Sequence, residues 1–306
     1  MKTIESYLQM QGKSKSTIAH YKSYVLDFIS FLDQDKTEVE QTTTKEVLAY
    51  LDRLKKRGQA NNTRGFRLTA INHYFDWLIH REIVLEHPSK KIKIQGTKTV
   101  KLYSIFSVQE LQQLEASYLV PKDDDARKNM NWFKEYQLSR KRNKVVISLM
   151  INQGLTTSQV AQITTKNLDL RAGTIFIEST RKSNARSLEL KPFQIMDLME
   201  YTLQTRQILL QIKADKTTEK LFLSTSKYDK LDIWKRLTLD LKKENKKFVN
   251  FKQVRASIIT DWLKHYNLRK VQYMAGHRFV SSTESYLVNH FEDLQADIEK
   301  MHPLEM

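Results

Sequence analysis

Apolar residues in this chain recur at the period of about 3.6 residues that marks an α-helix, and give way to strand-like alternation only around residues 174–190. That pattern predicts a mainly α fold with a small β-sheet. Four helices are expected in the first 85 residues. Ile4, Tyr7, Leu8 and Met10 mark a short one that ends near Gly12. Ser14 or Ser16 caps the second, which carries Ile18, Tyr21, Tyr24, Val25, Phe28, Ile29, Phe31 and Leu32. A polar connection leads to a third, with Val47, Leu48, Tyr50, Leu51 and Leu54, introduced by Thr44 and stopped at Gly58. The fourth runs from Thr63 to Ile83.

Residues 86–102 turn polar and basic, as a linker between two domains does, leaving 1–85 and 103–306 on either side. Ser107 begins the next helix, with Val108, Leu111 and Leu114. An exposed loop or insertion is expected over 121–131. Residues 143–162 read as two helices broken at Asn152-Gln153-Gly154, with Thr157-Ser158 capping the second. A strand from Thr174 to Glu178 and a second arm ending at Leu190 make a hairpin. Helices are expected at 193–212, at 231–241 and, amphipathic through Phe291, Leu294 and Ile298, at 288–301.

The charge balance speaks to partners. With 51 Lys and Arg against 35 Asp and Glu, the 306-residue chain carries a net +16 and favours polyanions. Its basic residues are scattered, with no single basic amphipathic anchor, so nucleic acid is favoured over a membrane surface. The longest apolar run, Val145 to Ile151, is far too short to span a bilayer. No secretory signal is visible, and a cytoplasmic protein is expected. With no cysteine, thiolate metal sites, disulfides and a cysteine nucleophile are excluded. The seven glycines are too dispersed for a phosphate-cradling nucleotide loop, and no histidine pair has metal spacing; no cofactor or metal is expected.

The chemistry gathers between Val249 and Tyr286. Arg255 lies on an apolar helical run, Gly276-His277 follows about twenty residues on, and Tyr286 stands nine residues after His277. A fixed cation, a histidine and a phenol in one unit suit a phosphodiester, whose charge must be held and whose phosphorus a tyrosine oxygen can attack. At these residues the chain resembles the tyrosine recombinases, or phage integrases. That family carries His-x-x-Arg at a helix start, then Leu-Gly-His, then a nucleophilic Tyr nine residues later. Here the places are filled by Lys252-Gln253-Val254-Arg255, Ala275-Gly276-His277 and Tyr286, with Lys252 where the family has histidine. Gly154, Leu155 and Ser158 fit its Thr-Gly-Leu-Arg-x-Ser-Glu-Leu segment, but Thr156 holds the place of the first catalytic arginine and Gln159 that of the glutamate.

The resemblance implies a four-helix SAM-like core-binding domain followed by a mixed α/β catalytic domain, and a site-specific recombinase of a mobile genetic element that cuts and rejoins DNA through a 3′-phosphotyrosyl link. It implies Tyr286 as nucleophile, Arg255 and His277 as phosphate contacts, and Lys252 as a phosphate donor in the histidine's place. The family's hairpin delivers a lysine to the leaving 5′ oxygen. Counting back from Leu190 favours Arg181 for that place and the Lys-Ser pair favours Lys182; Lys182 is chosen, because an ammonium gives up a proton where a guanidinium scarcely can. Arg64, Arg67, Lys90, Lys91 and Arg181 are the implied DNA contacts. Implied partners are a duplex recombination site and further copies of the chain, as dimer or tetramer. Either Lys252 or Arg181 covers the gap at Thr156, or cleavage is weak or lost and the chain is a DNA-binding accessory protein of the same fold.

Overall fold

The computed structural model describes residues 3–96, 103–122, 124–226 and 233–287. The chain divides into two compact units, Met1–Lys101 and Leu102–Met306.

The first unit contains α1 (Ile4–Met10), α2 (Lys15–Gln34), α3 (Thr44–Lys56) and α4 (Asn61–His80). Ser14, not Ser16, caps α2 by accepting from the Thr17 amide. Thr43, one residue before the expected Thr44, forms a capping box with Glu46 at the start of α3. The end of α3 is a Schellman turn: Gly58 N–H donates to Lys55 O and Gln59 N–H to Leu54 O. The α4 helix starts two residues before Thr63 and ends three before Ile83, because the same turn closes it. There Glu82 takes a φ of 58°, so Ile83 lies beyond the helix. Fully buried Phe28 centres the core, its ring 5.1 Å from Tyr50 and 6.2 Å from Phe75, both edge-on. The following stretch stays with this unit. Thr44 donates to Pro88 O, buried Ser89 to Asn72 Oδ1, and Ile92 and Ile94 pack on the core.

The second unit is built on α5 (Val108–Ser117), α6 (Phe133–Asn152), α7 (Thr157–Gln162), β1 (Leu168–Asp169), β2 (Thr174–Ile177), β3 (Arg186–Glu189), α8 (Pro192–Glu200), α9 (Arg206–Ile212), α10 (Trp234–Glu244), α11 (Phe251–His265), α12 (Leu268–Ala275) and α13 (Ser281–Glu284). Ser107 caps α5 in a box with Glu110. The α6 helix begins ten residues before the expected 143. Its first half hides cations on the buried side: Arg140 lies 3.6 Å from the Tyr118 ring centre and donates to Leu119 O, and Arg142 donates to Leu223 O. Carbonyl partners make such burial tolerable, and no periodicity count rewards it. From Val145 to Ile151 every residue of α6 is buried, and α11 packs against it. The three strands form an antiparallel meander with Ile175 opposite Leu188 and Ile177 opposite Arg186; β1 was not anticipated. The expected single helix 193–212 is α8 and α9 joined by a π-helical turn at Tyr201–Thr205. The expected helix 288–301 lies outside the described residues. Among the described residues no helix is long and apolar enough to cross a membrane.

Candidate active site

Asn250 sets the start of α11 by accepting from the amides of Lys252 and Gln253. Gln253, wholly buried, then pins the helix: its amide nitrogen donates to Ser104 O at 2.8 Å and Lys247 O at 3.0 Å, and its oxygen accepts from Val249 N at 2.7 Å. Each such bond contributes about 1 kcal/mol net, and leaving one group unmade costs more. Fixed in this way, α11 presents Arg255 to the loop after α6 and to the end of α12. Arg255 donates to Gly154 O, to Ala275 O at 2.8 Å and to His277 Nε2 at 3.1 Å.

The Gly276-His277 pair is the end of α12. Gly276 takes a φ of 70°, donating to Tyr273 O while His277 N donates to Gln272 O, a second Schellman turn. The turn aims the imidazole back at Arg255. A guanidinium only donates, so His277 Nε2 accepts and Nδ1 carries the hydrogen, which goes to Thr283 Oγ1 at 2.9 Å. The His277 ring stacks on Tyr286, centres 5.8 Å apart and planes 10° from parallel. Burial foremost, then the charges of Arg255 and Arg186, hold the His277 pKa down at about 4, so the ring is neutral at pH 7. Burial also lowers the Arg255 pKa, and the Tyr286 phenol beside it works the other way.

The hairpin reaches the same place. Thr180 and Ser183 pair across a two-residue tip whose outer residues are Arg181 and Lys182, both exposed. Ser183 also pairs with His277, Asn184 N–H donates to Gly276 O at 3.0 Å, and Arg278 donates to Thr180 O at 2.9 Å. The structure therefore gathers Arg255, His277, Tyr286 and the tip bearing Lys182. Lys252 is exposed in the first turn of α11, one turn before Arg255. Lys90 and Lys91 are exposed.

Two expected DNA contacts are engaged elsewhere. Arg67 is held by Asp27 and by Tyr50 Oη at 2.9 Å and lies over the Tyr24 ring. Arg64 is half-buried and donates to Asn61 Oδ1 at 2.7 Å. Both guanidiniums thus have partners inside the first unit, Arg67 on other helices and Arg64 on its own. The Thr156 hydroxyl accepts from the Gln159 amide and the Gln159 side chain returns to Thr156 N; the pair caps α7, where Thr157-Ser158 was expected. Thr283 and Arg186 were missed. Arg186 donates through Nε to Met274 O at 2.7 Å and packs against Gly276. Its signal was present: Arg186, Leu188 and Leu190 alternate onto one buried face.

A model of the phage integrase family matches residues 122–293, and one of the phage integrase N-terminal SAM-like domain matches residues 4–82. The chain belongs to the phage integrase family, the tyrosine recombinases. Among its relatives, tyrosine recombinase XerC of Anoxybacillus flavithermus is 25% identical over 292 residues, covering 92% of this chain and 89% of the relative. Tyrosine recombinase XerD of Oceanobacillus iheyensis is 26% identical over 286 residues, covering 90% and 88%. The fold is shared with XerH recombinase bound to difH substrate (TM-score 0.66, 17% identity, 91% of this chain and 78% of that one). It is shared also with a lambda integrase tetramer on a Holliday junction (TM-score 0.60, 14% identity, 92% and 74%).

Proposed function

We propose that this chain cuts and rejoins duplex DNA at a specific site through a 3′-phosphotyrosyl link on Tyr286, working in the cytoplasm for a mobile genetic element. The observation that carries this reading is the convergence of Arg255, His277 and Tyr286 through a 3.1 Å hydrogen bond and a stacked pair of rings. In this reading Arg255 grips the non-bridging oxygens. The phosphate competes for the N–H that now engages His277 Nε2, freeing that lone pair, and its negative charge raises the imidazole's proton affinity. Tyr286 Oη forms the bond to phosphorus and its proton passes to His277 Nε2, which then donates to a phosphate oxygen. The bond from phosphorus to the 5′ oxygen breaks, and the Lys182 ammonium protonates that oxygen. Lys252, Lys90, Lys91 and Arg181 supply further cations along the DNA. The XerH and lambda integrase structures hold DNA, the latter as a tetramer, and assembly of this chain as a dimer or tetramer on its site is part of the proposal.

A nicked suicide substrate tests it, since cleavage there traps the protein covalently. Tyr286→Phe removes only the phenol oxygen, so the adduct disappears while DNA affinity stays nearly unchanged; an adduct that survives moves the nucleophile elsewhere. A second reading, an accessory protein that binds without cutting, is favoured by Thr156 alone, whose hydroxyl caps a helix where the family has a cation. Tight DNA binding with no adduct from the wild-type chain decides for it.

A further inference from the structure

Both residues named for the gap at Thr156 are exposed, Lys252 at the start of α11 and Arg181 at the hairpin tip. We propose that Arg186, on β3, supplies the second positive charge of the phosphate pocket beside Arg255. The inference rests on the reading of Tyr286 as nucleophile and adds to it the group that completes the charge.

Arg186 is 1% exposed, and Nε is satisfied by Met274 O, yet among the described residues Nη1 and Nη2 have no hydrogen-bond partner. The other buried arginines differ. Arg142 has Nη1 on Leu223 O and Nη2 on Asn143 Oδ1; Arg206 spans Thr218 O and Lys220 O; Arg140 holds Leu119 O and pairs with Asp240. A guanidinium half without partners in the interior is costly and signals an anion that belongs there. Burial foremost, then the positive charge of Arg255, takes the Arg186 pKa down to about 10, leaving it charged at pH 7. Neither arginine forms an ion pair with a carboxylate among the described residues. Two guanidiniums therefore flank His277 with no carboxylate of the described residues between them.

The chemistry calls for two. A phosphodiester carries one negative charge, and more gathers on its non-bridging oxygens as the Tyr286 Oη–P bond forms and the P–O5′ bond breaks. Arg255 alone leaves that increase unmatched. Strand register fixes the place of Arg186, opposite Ile177 and on the same face as Leu188. Gly276 gives it room: a Cβ there would fall 2.8 Å from its Cζ.

The test compares single-turnover cleavage of a nicked site by the wild-type, Arg186→Gln and Arg186→Lys chains, each checked for folding by thermal melting. Two recoveries are then sought, on a site whose scissile phosphate is a neutral methylphosphonate and in the Thr156→Arg background. Arg186→Gln is expected to slow cleavage on the order of 100-fold or more, with DNA affinity nearly unchanged and Arg186→Lys in between. The loss shrinks on the methylphosphonate, which has less charge to hold, or when Thr156→Arg returns a guanidinium to the turn. Cleavage by Arg186→Gln at the wild-type rate overturns the proposal, as does a loss that neither change recovers, for that marks a packing residue. If Arg186→Gln does not fold, the two recoveries are sought with Arg186→Lys instead: a loss that either change reduces supports the proposal, and wild-type cleavage or an unrecovered loss overturns it. A wild-type chain that forms no adduct at all sinks the nucleophile reading itself, and this inference with it.

Discussion

Thr156 and His277 show how much of the site is decided one side chain at a time. The Thr156 hydroxyl is committed to the first turn of α7, so an arginine placed there gives up a cap worth about 1 kcal/mol before it gains anything. His277 is held neutral by its surroundings, and that has a consequence for stability. Its pKa lies near 4 in the folded chain, below the ordinary 6.5, so the unfolded chain binds the extra proton first. Stability contributed by this group is complete above about pH 6.5 and is lost as pH falls toward 4. Melting curves at pH 7, 6 and 5 should show the second unit weakening, and His277→Gln should flatten that slope. An identical slope in the variant would place the titrating group elsewhere.

At the scale of elements, helix ends carry most of the local information. The α4 helix closes with Glu82 at a φ of 58°, a conformation that costs a residue with a Cβ on the order of 1 kcal/mol. Glu82→Gly should therefore raise the stability of the first unit by up to about 1 kcal/mol, less the entropy glycine adds to the unfolded chain; denaturant midpoints would measure it, and a loss of stability would refute it. The elements that sequence made legible are those with an apolar stripe and a polar cap, such as α2 behind Ser14 and α5 behind Ser107. The first half of α6 was hidden because its inward face carries Arg140 and Arg142, each of which reaches a carbonyl distant in sequence. In the site, Arg255, His277 and Tyr286 were legible from spacing. Arg186 was passed over although its alternation with Leu188 and Leu190 marks the buried face, because an arginine between Ala185 and Ser187 looks like one more surface cation until the strand's facing is known.

At the scale of the molecule, a net charge of +16 sets how the chain meets its substrate. If the bound protein neutralises about eight phosphates, log K should fall against log salt with a slope of about −7. Filter binding across a salt series would measure it, and a flat response would refute a duplex-wide electrostatic grip. The bridge from Ser183 to His277 has its own consequence at this scale. It clasps the hairpin to the segment that ends in Tyr286, so in the proposed reaction the donor of the departing proton and the attacking oxygen ride on one strap. If the proposal holds, a motion that draws the tyrosine back from its phosphate should draw Lys182 back as well, disarming a resting subunit at both ends of the reaction in a single stroke.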